Sequence, residues 1–382
     1  MKHIGVYQRA GLFPVLFAFL IMGLIDVVGI STSYVKKDFA LSDTLANLLP
    51  MMAFIWFALI SFPTGIVMGK VGRKNTVLFS LALTVLAMVL PLLSYSFPIV
   101  LLAFMILGIS NTILQVSLNP LLLNTIAKEK ITSMLTLGQF IKAVSSMLGP
   151  ALISLVVGVW GDWKNMFLVY AILSFVSFAW LASTKIPKEV SDESTLSIKS
   201  ILSLFADTRL LLYFSMILLS VGFEIGLMTG IPKYFTDSYS FTLESAGLGC
   251  SLYYLFRMSG TFAGSFILAR YSERKFLLFS LVIAVISYSV FMCTDHVMTL
   301  LIVLSLLGLS CANIFPIVYS MAIQKIPEKA NEISAMMIMG VAGGAIMPFA
   351  MGIVTDWFSL WGSLLLPFGA LIYMLISSVR LK

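Results

Sequence analysis

Nine side chains in this sequence carry chemistry where a polar group is hard to accommodate. Asp26, Lys142, Glu224 and Arg257 each stand near the middle of a long apolar run. Asn111, Gln115 and Asn119 follow one another at i, i+4 steps, which places three amides on one helical face. Gln139 lies three residues before Lys142, and Asn313 stands alone in a later run. An ionised side chain at mid-bilayer costs roughly 2.5–3.5 kcal/mol on insertion scales, so four facing lipid would cost about 10–14 kcal/mol. They must face a cavity or one another, and they balance as one acid and one base per half. A carboxylate can exchange a proton or hold a polar solute. Arginine is permanently charged, so it can pair or bind but cannot carry the proton. Amides donate and accept, which suits a hydroxyl-rich solute as well as hydrogen bonding between helices.

The elements that position these groups follow from composition. Of 382 residues, 60% are apolar and only 11% charged, against about 25% charged in a soluble domain. Mean hydropathy is +1.03. Such a chain lacks the polar surface of a soluble enzyme, a nucleic-acid binder or a disordered protein. A bilayer span needs about 20 apolar residues, and twelve runs of that kind are present. They fall at about 11–35, 44–69, 75–96, 98–125, 131–158 and 164–184, then 208–232, 242–269, 275–294, 297–323, 332–355 and 359–379. The predicted fold is an all-α membrane protein with twelve transmembrane helices in two pseudo-symmetric six-helix bundles. The bundles are 1–184 and 208–382, joined by a polar linker over 185–207. The halves repeat: LGIS at 107–110 returns as LGLS at 307–310, and IAKEK at 126–130 as IPEKA at 326–330. Gly149-Pro150 in span 5 has a counterpart in Met347-Pro348 of span 11. A repeat of this kind is the mark of a transporter built around a central cavity.

Net charge is +7, and the basic residues are asymmetrically placed. With both termini inside, eighteen of the 24 Lys and Arg fall on the inner side. Only Lys36, Lys37, Lys164 and Lys233 fall outside, and Lys142 and Arg257 lie within spans. The positive-inside rule then puts the termini in the cytoplasm of a plasma-membrane protein, the bacterial inner membrane being the expected site. The positive charge is thus a topology signal rather than a nucleic-acid footprint. The first run is too long for a signal peptide and reads as helix 1. Cys250, Cys293 and Cys311 read as small core residues, and the 22 methionines as packing. Trp160, Trp163, Trp180, Trp357 and Trp361 sit near span ends, as interfacial aromatics do. Phe54 and Trp56 read as packing or lipid-facing rather than as a stacking platform. No Cys/His cluster has metal-ligand spacing and no phosphate-binding glycine loop occurs, so no metal, cofactor or ATP drive is expected.

Helical spacing also predicts neighbours. Met22, Gly23, Gly29, Ile30 and Ser33 share the face of Asp26. Gln139, Ser145, Ser146 and Gly149 share that of Lys142, and Tyr253, Gly260, Thr261 and Gly264 that of Arg257. Gly260 and Gly264 allow close helix approach. The expected pairs are Asp26–Lys142 and Glu224–Arg257.

The segment GIVMGKVGRK at 65–74 resembles the helix 2–3 signature of the major facilitator superfamily, written G-x-L-x-D-R-x-G-R-K. Gly65, Lys70, Gly72, Arg73 and Lys74 would be its gating-loop residues; Gly69 replaces the acid and Lys70 the first arginine. The fucose–galactose–glucose:proton symporter family also tends to lack that acid. Two more patches are similar to that family: Asn119-Pro120 late in span 4, and FPIVYSMAI at 315–323 in span 10. The superfamily resemblance covers the whole chain, and the family resemblance rests on these patches. Aligned on Asn-Pro, Gln115 stands where the family pattern has a glutamate, Gln139 matches its helix 5 glutamine, and Lys142 replaces a nearby asparagine. The family's helix 1 aspartate aligns with Gly29, so Asp26 lies about one turn earlier. An amide at 115 cannot carry a proton, so coupling would move to Asp26 or Glu224.

The resemblance implies a secondary transporter for a small sugar or sugar-like solute, working by alternating access as a proton symporter and as a monomer. Asn111, Gln115, Asn119, Gln139, Lys142, Arg257 and Asn313 are the expected solute contacts, and Asp26 and Glu224 the expected proton sites. The alternative is an exporter of drugs, metabolites or an anionic solute on the same fold. Gly149-Pro150-Ala151-Leu152-Ile153 keeps only part of the exporters' helix 5 motif, which argues against it. An integral-membrane enzyme should show metal-binding acids or a catalytic histidine at a membrane face; neither is read here, the two histidines, His3 and His296, lying outside the spans.

Overall fold

The structure, a computed structural model, describes residues 2–123, 131–186, 203–268, 271–326 and 329–380. Lys128, Lys130, Lys188, Lys199, Arg270, Lys382, the IAKEK repeat and most of the 185–207 linker lie outside the described residues. Helices account for the fold, and no strand occurs among the described residues.

Twelve spans appear in the expected order. Helix α1 runs Lys2–Gly23, passes through a 3-10 turn at Leu24–Val27, and resumes as Val28–Asp38. Helix α2 spans Asp43–Val71 in three pieces, interrupted at Asn47 and Ile55. Then come α3 (Arg73–Leu93), α4 (Phe97–Leu123), α5 (Ile131–Trp160) and α6 (Asn165–Ser183). The second set is α7 (Thr208–Tyr239), α8 (Leu243–Leu268), α9 (Glu273–Cys293), α10 (Val297–Lys325), α11 (Glu332–Trp357) and α12 (Leu360–Arg380). Eleven are long and apolar enough to cross a membrane by composition alone. The twelfth, α8, has the length at 26 residues but carries Glu244, Arg257 and many small polar residues.

Local chemistry sets the ends. The Asp207 carboxylate accepts from the backbone N–H of Arg209 and Leu210, capping α7. Ser240 closes α7 in the left-handed region at φ 56°. Gly72 at φ 92° and Gly161 at φ 71° make the tight joints before α3 and after α5, a backbone that side chains beyond hydrogen resist. Outward faces remain apolar: Phe79 is 58% exposed and Phe262 62%. In water such a surface would aggregate, whereas in a bilayer it is the lipid contact.

The chain divides into two compact units. The first comprises Met1–Asp26 and Leu59–Leu196, the second Val27–Ala58 and Ser197–Lys382. In the first unit α3 packs on α4 and α6, and the first half of α1 packs on α5 and α6. In the second, α8 packs on α10, α7 on α11 and α12, and α9 on α10 and α12. The stretch Val27–Ala58 packs with α7 and α11, so the contact boundary differs there from the 1–184/208–382 division read from the repeat. Glycines permit the closest approaches. A Cβ at Gly343 would fall on the Leu218 carbonyl oxygen, and one at Gly23 on the Lys142 carbonyl oxygen. Trp163, just ahead of α6, is buried against Tyr95 and Phe167. Cys250 and Cys311 are buried as expected, and Cys293 is exposed.

Candidate functional site

In the first unit the amide row on α4 divides by role. Asn111 is buried, donates through Nδ2 to the Met22 carbonyl of α1 at 3.0 Å, and accepts from Gln115 Nε2 at 3.1 Å. It is a strut between helices. Gln115 and Asn119 are half-buried, and Gln139 of α5 is exposed. Gln139 Nε2 reaches Asn119 Oδ1 at 3.5 Å, the outer limit of a hydrogen bond. Among the described residues, Gln115 Oε1, Asn119 Nδ2 and Gln139 Oε1 have no hydrogen-bond partner, so this cluster can both accept from and donate to a bound hydroxyl.

Asp26 lies in the 3-10 turn of α1 and is buried. Its Oδ2 accepts from Ser146 Oγ at 2.5 Å, one turn along α5 from Lys142. Lys142 itself is half-buried on the same helix. The helical break there has packing support: Ser145 Oγ donates to the Leu20 carbonyl at 2.6 Å and Tyr170 Oη to the Ile21 carbonyl at 3.1 Å. These bonds satisfy α1 carbonyls just before the turn, where the regular ladder stops. Ser146 was legible only as a neighbour on the Lys142 face.

In the second unit Arg257 Nη2 of α8 pairs with Glu224 Oε2 of α7 at 2.9 Å. Both side chains are largely enclosed, at 25% and 13% exposure. The buried phenol of Tyr253 lies one turn before Arg257, and its Oη has no hydrogen-bond partner among the described residues. Asn313 occupies a break in α10 and is buried. Its Nδ2 donates to the Gly260 carbonyl at 2.8 Å, and the missing side chain of Gly264 makes its room. Asn313 therefore ties α10 to α8, and Gly260 and Gly264 serve the close packing expected of them.

The 65–74 segment caps helices. Arg73 donates to the Pro120 carbonyl late in α4 at 3.1 Å. Lys74 Nζ donates to the Ala182 and Thr184 carbonyls at the end of α6, at 3.1 and 2.7 Å. Cations at helix C-termini meet both orphan carbonyls and the negative end of the dipole. Gly72 gives the turn, Gly65 is half-buried within α2, and Lys70 is exposed. Arg274, at the repeat position of Lys74, does the same for α12 through the Val379 carbonyl at 2.8 Å.

A repeated helical bundle with charge and amides enclosed mid-span is the build of a secondary transporter. A family model described as Major Facilitator Superfamily matches residues 15–331 and 212–380, and the chain belongs to that superfamily. It is similar to a glucose/galactose transporter of Brucella abortus biovar 1 (strain 9-941), with 24% identity over 349 residues, covering 87% of this chain and 84% of the relative. A putative glucose/galactose transporter of Helicobacter pylori (strain J99) is 24% identical over 361 residues, covering 88% and 87%. Among solved structures, the nucleoside transporter NupG superposes with a TM-score of 0.81 at 16% identity, covering 98% of this chain and all of the other. The E. coli fucose:proton symporter FucP gives 0.67 at 17% identity, covering 97% and 99%. At these identities the structures speak to the fold.

Proposed function

We propose that this chain moves a small sugar-like solute across the plasma membrane by alternating access, driven by a proton gradient. The observation that carries the reading is the Gln115–Asn119–Gln139 cluster, whose unpaired amide groups on a membrane-spanning helix pair match the donor and acceptor demand of sugar hydroxyls. The glucose and galactose named for the similar proteins support the solute class. Lys142 and Arg257 add solute contacts. Asn111 and Asn313, at first counted with them, serve as struts. Asp26 and Glu224 take the proton. Protonating Glu224 would release Arg257, a two-state element that solute and gradient both bias. The protein works as a monomer with both termini in the cytoplasm.

The test is uptake by proteoliposomes of purified protein, using labelled hexoses, nucleosides and sugar acids, each with and without an inward proton gradient. Gradient-driven accumulation of a hexose is expected. Equilibration indifferent to the gradient would remove the proton coupling. No uptake of any hexose would overturn the sugar assignment and bring the exporter reading forward.

A further inference from the structure

One end of the second unit holds a charge cluster that the proposed solute chemistry does not use. The hairpin from Val28 to Phe54 joins the end of α1 to the start of α2. Its helices are interrupted at both margins, by the 3-10 turn at Leu24–Val27 and by the break at Ile55. Near those two points the chain leaves the second unit. Interrupted helix at both ends of a packed segment is what a hinged strap requires.

Charges hold the strap down. Asp43, the first residue of α2, is clasped by Lys36 of α1 at 2.7 Å and by Lys233 of α7 at 3.2 Å. Lys233 also pairs with Asp237 one turn on, at 2.9 Å. From α11, the two carboxylate oxygens of Asp356 accept the backbone N–H of Asp43 and Thr44 at 2.8 and 2.7 Å. Those N–H groups are the orphan donors at the positive end of α2, so Asp356 caps α2 from a different helix. Contact with α11 is close: a Cβ at Gly352 would stand 2.7 Å from the Asp43 carbonyl oxygen.

The volumes on either side of the cluster show what it closes. Towards the helix ends lies an open recess of about 700 Å³, lined in part by Lys37, Lys233, Asp237, Phe241 and Glu244. Beneath the cluster, among Thr32, Asn47, Thr229 and Ser363, the space is about 30 Å³. At about 10–15 Å³ per water by the same measure, that admits two or three waters and no solute.

We propose that Asp356 and the Lys36–Asp43–Lys233 triad form a latch that holds the 28–54 strap against α7 and α11, and that this face opens only when the latch parts. The inference rests on the alternating-access reading and deepens it. Charged contacts suit the task because water can replace them on opening, whereas a dry apolar seal would resist separation.

The test is thiol labelling in proteoliposomes without solute. Thr229→Cys, placed beneath the latch, is made in a Cys293→Ser background and exposed to a membrane-impermeant maleimide from each side. Asp356→Ala and Asp43→Asn are expected to raise the labelling rate roughly tenfold, the worth of about one charge-assisted hydrogen bond. Asp356→Glu should return it towards the parent rate. If either variant fails to give a monodisperse protein, the parent is labelled at high salt. The Debye length falls from about 10 Å at 0.1 M to about 3 Å at 1 M, so labelling should rise there too. Parent-like labelling in both folded variants, or no response to salt, overturns the latch. Faster labelling in a protein that takes up no sugar keeps the latch and rejects the sugar. Sugar uptake with unmoved labelling does the reverse.

Discussion

The Glu224–Arg257 pair permits a quantitative test. At 2.9 Å and an effective dielectric constant of about 20, the gross attraction is about 6 kcal/mol. Desolvation of both ions removes much of that, so the net worth of the pair is small while the cost of halving it is large. Removing one partner from a buried pair costs about 3–5 kcal/mol. With side-chain exposures of 13% and 25%, the lower figure applies. Glu224→Gln and Arg257→Met should each lower the melting temperature in detergent, by something on the order of 10 °C for about 3 kcal/mol in a unit of this size. The double variant should melt above either single one, because neither buried charge is then left behind. Transport adds an independent readout. Glu224→Gln imitates the protonated acid, so it should exchange solute across the membrane yet accumulate none on a proton gradient. A double variant less stable than both singles would refute the pairing argument. Gradient-driven accumulation by Glu224→Gln would remove Glu224 as the proton site.

Gly343→Ala should destabilise by about 1–3 kcal/mol through forced separation of α7 and α11. Gly369→Ala on α12, where an added Cβ meets nothing within 4 Å, should be neutral or stabilising by up to about 1 kcal/mol; equal melting temperatures would reject the packing argument. Gln115→Ala and Gln139→Ala should raise the apparent KM for solute roughly tenfold with little change in stability, as the loss of one hydrogen bond predicts. Asn111→Ala should instead lower the melting temperature, since it leaves the buried Met22 carbonyl without its donor. The reverse pattern in thermal melts and uptake would exchange the roles assigned here.

The spans were legible because insertion depends on composition, and composition is local. Their interruptions were not. Nothing in LIMGLIDVVG marks Leu24–Val27 as a 3-10 turn; the bonds that support it come from Ser145 and Tyr170, more than a hundred residues away. Helix α7 runs to Tyr239, past the expected end near 232, where Lys233 pairs with Asp237 along the helix and with Asp43 of α2. Hydropathy registers only that those residues are charged. The Glu224–Arg257 pair could be inferred because four buried charges must find partners. Which amide bonds to another helix could not, since Asn111 and Gln115 share a face and only the Met22 carbonyl distinguishes their bonding. One signal for the latch was available. Lys36, Lys37 and Lys233 are three of only four basic residues on the side that the positive-inside rule leaves poor in them. Cations that stay where topology does not favour them have a local partner to explain them.

The repeat duplicates the scaffold and leaves the chemistry single. Lys74 and Arg274 cap the ends of α6 and α12 in the same way, and Gly108 and Gly308, like Ser110 and Ser310, keep their types 200 positions apart. The same offset carries Asn111, Gln115 and Asn119 onto Cys311, Phe315 and Tyr319, where no amide remains. The second unit instead places its ion pair on α7 and α8. Packing and capping are needed wherever a helix must span a bilayer, so both copies retain them. A row of amides for hydroxyls is needed once, so it need stand in only one copy. The free amides stand in the first unit and the ion pair in the second; on the proposed function the amides recognise hydroxyls, Glu224 answers the gradient together with Asp26 of the first unit, and Arg257 joins the amides in holding solute.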